Sequence, residues 1–117
     1  MKSYFGGLNV GYDIIIAEKQ YEKLMTWYEA ILYCQFLNID GYNDWRLPNR
    51  GELEFILRKF YDIKQYGNYE LRESHYWTDF EYSNTSAMTI PAFASSPCSL
   101  YKNSNIIAVR PIRINNE

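Results

Sequence analysis

Gly41-Tyr42-Asn43-Asp44-Trp45-Arg46-Leu47-Pro48-Asn49, with Glu52-Leu53 close behind, is the stretch on which the reading of this chain turns. Asp40-Gly41 is a turn signal just ahead of it. Asn49, followed three residues later by Glu52, has the form of a capping box. Pro48 disfavours helical geometry at the residue before it, which holds off helix formation until the cap. Leu53, Ile56, Leu57 and Phe60 then recur at i, i+3, i+4 and i+7, the spacing of an amphipathic helix. Between turn and cap, Trp45 and Leu47 alternate as in a strand and can plug the space between helices and a sheet. Arg46 needs carbonyls or a carboxylate, and Asp44 or Glu52 can provide one.

Working back from the turn, Thr26 and Glu29 form another capping box. Trp27, Ala30, Ile31, Cys34 and Leu37 follow as one apolar stripe. Tyr28, Leu32 and Phe36 widen it, which predicts a helix covered on more than one side. With a short connection, the two helices are expected side by side or at an angle. Upstream, Gly6-Gly7 and Gly11 punctuate a strand over residues 12–17, and residues 18–23 read as a connection. Downstream, residues 62–74 read as loop, 75–80 and 87–90 as strands, and Ser83-Asn84-Thr85 as a turn. Residues 91–105 read as irregular. Residues 106–114 read as a final strand in which Pro111 marks an edge or a bulge. This order predicts one α+β domain over residues 1–117, with two helices on a small, mainly antiparallel twisted sheet and long irregular loops.

Composition narrows the function. At 117 residues the chain can bury a core without a metal or disulfide staple. A net charge of −2, with the signs interspersed, argues against a nucleic-acid partner. No apolar run approaches membrane-spanning length, so membrane insertion is not expected. The first residues lack the apolar segment of a signal peptide. The chain as written is therefore expected in the cytoplasm or on a virion, or outside the cell if a leader was removed. Cys34, on the apolar helix face, is expected as a buried free thiol; Cys98 lies in a Ser-rich loop, and a bridge between them is the alternative.

Several segments together resemble the DUF1566, or Lcl C-terminal domain, family. They are Trp27-Tyr28-Glu29-Ala30, Cys34, Gly41 to Asn49 with its Asp-Trp-Arg-Leu-Pro core, Glu52-Leu53, Tyr76-Trp77-Thr78 and Val109-Arg110-Pro111-Ile112-Arg113. The resemblance covers roughly residues 10 to 114. It implies a C-type-lectin-like fold, related to formylglycine-generating-enzyme-like domains and to the variable proteins of diversity-generating retroelements. It also implies a module of bacterial surface proteins, adhesins or phage proteins that binds a ligand or another protein. The chain departs from the family in lacking a Gly-rich loop before its last strand. The resemblance and the residue pattern together cast Trp27, Asp44, Trp45, Arg46, Leu47, Pro48, Trp77, Arg110 and Arg113 as a structural motif.

Catalytic patterns are sparse. His75 is the only histidine, and no motif places a nucleophile beside it. Clustered zinc ligands and the oxygen-rich set that calcium needs are both missing from the pattern. The paired redox cysteines of the formylglycine-generating enzymes are not reproduced, because Cys34 sits on a core helix. Neither a cofactor nor a metal is expected. What remains is surface. Tyr66, Tyr69, Tyr82, Phe93, Tyr101 and Asn103 lie in the irregular segments, and rigid aromatics mixed with Ser and Asn suit a protein or glycan ligand. The expected function is a non-enzymatic binding module. The alternatives are a small intracellular interaction or inhibitor protein, such as a phage factor acting on a host protein, and, third, an enzyme.

Overall fold

Two capping boxes open two helices, as the spacing requires. The computed structural model describes residues 3–5, 11–62, 74–92 and 96–115. Helix α1 runs Trp27–Phe36 and helix α2 Arg50–Asp62. At α1 the Thr26 amide donates to Glu29 Oε1 at 3.0 Å, and the Glu29 amide donates back to Thr26 Oγ1 at 3.4 Å. At α2 the box is tighter: Asn49 N–H to Glu52 Oε1 and Glu52 N–H to Asn49 Oδ1 are both 2.8 Å. Asn49→Ala removes one acceptor for an otherwise orphaned amide and should cost about 1 kcal/mol, read as a lower midpoint in urea unfolding with an unchanged slope.

The strands are short. They are β1 (Ser3–Phe5), β2 (Ile14–Ile16), β3 (Lys23–Leu24), β4 (His75–Glu81), β5 (Ser86–Pro91), β6 (Cys98–Tyr101), β7 (Ala108–Val109) and β8 (Ile112–Ile114). They form a three-stranded sheet ordered β1-β2-β8 and a five-stranded sheet ordered β3-β7-β4-β5-β6. Every pairing is antiparallel except β4 with β7. The α+β class is as the sequence predicts, and the arrangement is compatible with the C-type-lectin-like fold that the resemblance implies.

The side-by-side placement of the helices is not what the chain adopts. Successive strand residues point to opposite faces of a sheet. Trp77 packs with Trp27, Ala30 and Cys34 of α1, whereas its neighbour Tyr76 packs with Leu53 and Leu57 of α2. The helices therefore cover opposite faces of the five-stranded sheet, and β4 is buried between them. Ile56 is buried on α2 as well, while the side chain of Phe60 lies outside what the structure describes.

Three further readings need correction. Tyr28, Leu32 and Phe36 do not bury a second side of α1: all three are exposed, Phe36 at 79%. Periodicity registers an apolar face but not what covers it. Residues 91–105 are not all irregular, because β6 pairs along β5 from Thr89↔Cys98 to Ser86↔Tyr101. The last strand is two strands. Ala108–Val109 belongs to the five-stranded sheet and Ile112–Ile114 to the three-stranded one. Pro111, with no N–H to donate, sits where the chain leaves one ladder for the other, and its carbonyl accepts from Ala17 N–H at 3.0 Å. No described helix is long and apolar enough to cross a membrane.

Candidate functional site

The Trp-Arg-Leu-Pro segment crosses between the two sheets, and its side chains divide the work of holding them. Arg46 exchanges backbone hydrogen bonds with Ile112 at 2.8 and 2.9 Å, which fastens the segment to β8. Its guanidinium lies bidentate on Glu52, at 2.8 and 2.7 Å, and reaches the Leu47 carbonyl at 3.1 Å. Tyr12 adds its hydroxyl to the same carboxylate at 2.5 Å. Glu52 is 0% exposed. Burial by itself would raise its carboxyl; the bonds from Arg46, the Asn49 amide and Tyr12, together with the Arg46 charge, hold it below the usual carboxylate range.

Asp44 is not the partner of Arg46. It takes Arg113, at 2.6 Å to Nε and 3.3 Å to Nη2, and the Arg113 guanidinium also lies 3.9 Å over the Tyr42 ring. The Arg113 hydrogen bonds hold the Asp44 carboxyl below its ordinary value, ahead of the opposing effect of burial. Arg110 is buried, donates to the Ala17 carbonyl at 2.7 Å, and pairs with the buried Glu22 at 3.0 Å. Tyr76 caps the same carboxylate at 2.6 Å. Trp45 and Leu47 are buried, Trp45 beside Ile15 and Ala17 and Leu47 beside Trp77. Trp27 and Trp77 send their indole N–H groups to the carbonyls of Thr78 and Met25, each at 2.9 Å. Every polar atom of the motif described here ends on another part of the fold.

The surface residues separate into those the fold gathers and those it does not. Tyr101 and Asn103 line a groove of about 570 Å3 together with Thr26, Tyr28, Asn84, Thr85 and Lys102. Tyr101 is 70% exposed at the end of edge strand β6. Tyr82 is also exposed but does not line this groove. Tyr66, Tyr69 and Phe93 lie outside the described residues.

Lys102, at the floor of the groove, has no precedent in the sequence reading. It is only 4% exposed. Its ammonium sits 4.9 Å over the Trp27 ring and 5.3 Å over that of Tyr28, inside the range of cation–π attraction. It also donates to the Asn84 carbonyl at 3.1 Å, to Tyr28 Oη at 3.3 Å and to the Glu81 carboxylate. An ammonium has three donors, and all three are engaged. Tyr28 was legible as an aromatic on α1, but its spacing pointed inward. Nothing local marks Lys102, because its partners come from α1, β4 and the turn at Asn84.

A second depression, of about 430 Å3, is lined by Ile31, Cys34, Gln35, Asp79 and residues 43–47. Burial, with the nearby Glu52 charge, raises the Asp79 carboxyl against the opposing pull of Arg46. Cys34 closes its floor, where burial pushes the thiol up to about 12. Both cysteines are free, so the bridge considered from the sequence is not made. Among the described residues no group of three or more His, Cys, Asp or Glu could hold a metal ion.

No match was found among curated proteins. The Lcl C-terminal domain model matches residues 13–113, from the residue before β2 to the middle of β8. Those limits span the whole motif described above, and the chain belongs to the Lcl C-terminal domain family.

Proposed function

We propose that this chain is a non-enzymatic binding module that takes a protein ligand on the face formed by α1 and the groove beside Tyr101. The observation that carries the reading is the run of exposed apolar side chains beginning at the groove. Tyr28 stands in its wall; Leu32 and Phe36 follow at four-residue spacing along α1, all three exposed, and Tyr101 faces them from β6. Exposed aromatics collected in one place are the usual anchors of a protein interface. Lys102 gives the groove a rigid floor without a free charge, since its donors are spent within the fold. That favours an uncharged partner surface over an anionic one. His75 is engaged with Thr89 and Cys98 rather than with a carboxylate, which lends no support to acid–base catalysis there.

The test uses Leu32→Ser and Tyr101→Ser, because neither side chain holds another part of the fold in place by a polar bond. A partner captured by the wild-type chain is purified and titrated back by calorimetry. Each substitution should weaken binding by about 2 kcal/mol, roughly 30-fold, with the melting temperature unchanged. Undiminished binding by both variants would move the site elsewhere. Binding to a printed glycan, lost in Tyr101→Ser but kept in Leu32→Ser, would assign the groove to a sugar held by Asn84, Thr85 and Asn103 instead.

A further inference from the structure

His75, Thr89 and Cys98 stand on three neighbouring strands, β4, β5 and β6, and their side chains meet on one face. Thr89 lies opposite Trp77 on one side and Cys98 on the other; His75 is two residues from Trp77 and so shares its face. His75 Nδ1 is 3.0 Å from Thr89 Oγ1 and 3.6 Å from Cys98 Sγ. Thr89 Oγ1 is 3.4 Å from the same sulfur. The sequence hides this trio, because 23 residues separate His75 from Cys98 and no motif links them.

The hydrogen-bond inventory assigns the roles. Thr89 is fully buried and donates its one hydroxyl proton to the Cys98 carbonyl at 3.2 Å. Its oxygen can then only accept. Nδ1 of the neutral ring is left as an acceptor within reach of the Cys98 S–H. After proton transfer, the new Nδ1–H lies between Thr89 Oγ1 and the thiolate, so each protonation state finds partners already in place. Among the described residues no carboxylate or cation hydrogen-bonds to either group. Cys98 is half-buried on an edge strand and so can be reached from outside, whereas Cys34 is buried and protonated.

We propose that Cys98 is an activated thiol, with His75 as its base, that exchanges with small disulfides. The Sγ proton passes to His75 Nδ1. The thiolate attacks one sulfur of the disulfide; that S–S bond breaks as the bond to Cys98 forms. The released thiolate takes the proton back from His75. Cys98 is oxidised and half of the disulfide is reduced, so the incoming disulfide is the only oxidant required.

Iodoacetamide, with the alkylated residue assigned by peptide mass spectrometry, tests this on the folded protein. Cys98 should be labelled while Cys34 stays unmodified until denaturant is added. An ordinary thiol loses reactivity about tenfold per pH unit below roughly pH 8.5, and Cys98 should hold its rate well below that point. His75→Gln should cut the rate at pH 7 by about tenfold and restore the ordinary profile. Glutathione disulfide should form a mixed disulfide at Cys98, slowed in the variant by the same factor. A wild-type Cys98 that follows the ordinary thiol profile, or that reacts equally fast in His75→Gln, would overturn the proposal. If the variant does not fold, the wild-type profile alone decides.

Discussion

Arg46→Leu loses about 3–5 kcal/mol of stability at neutral pH, and part of that loss returns as the solution is acidified. The reason is the asymmetry of the pair. Arg46 keeps part of its guanidinium in solvent, whereas Glu52 is sealed, so removing the arginine strands a carboxylate that cannot reach water. In the wild-type protein the Glu52 carboxyl is held below its unfolded value. It therefore contributes stability that is complete above the ordinary carboxylate pKa, about 4.3, and is lost as pH falls through the lower folded value. Without Arg46, burial is no longer outweighed and the folded value moves above the unfolded one. Protonation then favours the folded variant while it penalises the wild type. Urea unfolding at pH 7 and near pH 4 reads both effects: the gap between the two proteins should narrow in acid. A gap that stays constant across that range would show that Glu52 is not the group left stranded.

Trp45→Ala is the other large effect, at about 3–5 kcal/mol. Trp45 is 7% exposed and fills the space among Ile15, Ala17, Tyr21, Leu37 and Ile39. Its indole N–H donates to the Tyr42 carbonyl at 3.0 Å, which ties the plug to its own turn. Alanine leaves a cavity between the small sheet and the end of α1 that neither rigid neighbour can close. Phe36→Ala is the matching control. It removes an aromatic of similar bulk from a position open to solvent and should change stability by no more than about 0.5 kcal/mol. Thermal melts of the two variants side by side separate a packing residue from a surface one. Equal shifts would mean that the plug is not packed as described.

What the sequence made legible was local. Each capping box depends on two residues three apart, and both appear where the pattern put them. The strand at His75 and the turn at Ser83-Asn84-Thr85 are bounded by residues with strong backbone preferences. The misreadings share one physical cause: the deciding contact lay far away in sequence. β6 is a strand because β5 presents a paired edge to it, not because Cys-Ser-Leu-Tyr favours extension. Tyr28, Leu32 and Phe36 continue the α1 apolar pattern, and only the placement of the sheet shows that nothing covers them. The choice between Asp44 and Glu52 for Arg46 was open from spacing alone. It is settled by Arg113, 69 residues from Asp44, which occupies that carboxylate first. In the candidate groove the same limit holds. Tyr101 and Asn103 were readable as surface aromatic and amide, whereas the lysine beneath them depends on three separate elements.

The splitting of the last strand at Arg110-Pro111 also bears on how the chain is made. Lys23 and Leu24 pair with Val109 and Ala108, and β2 meets Ile112–Ile114 along its full length. The Arg110 side chain closes contacts 93 and 88 residues long, to Ala17 and Glu22. A chain leaving the ribosome from its N-terminal end therefore exposes β2, β3 and the carboxylate of Glu22 long before their partners exist. The helices can form early, but the layer that joins both sheets waits for the residues synthesised last. Assembly of this domain is a post-translational event, and β7 and β8 act as its final clasp.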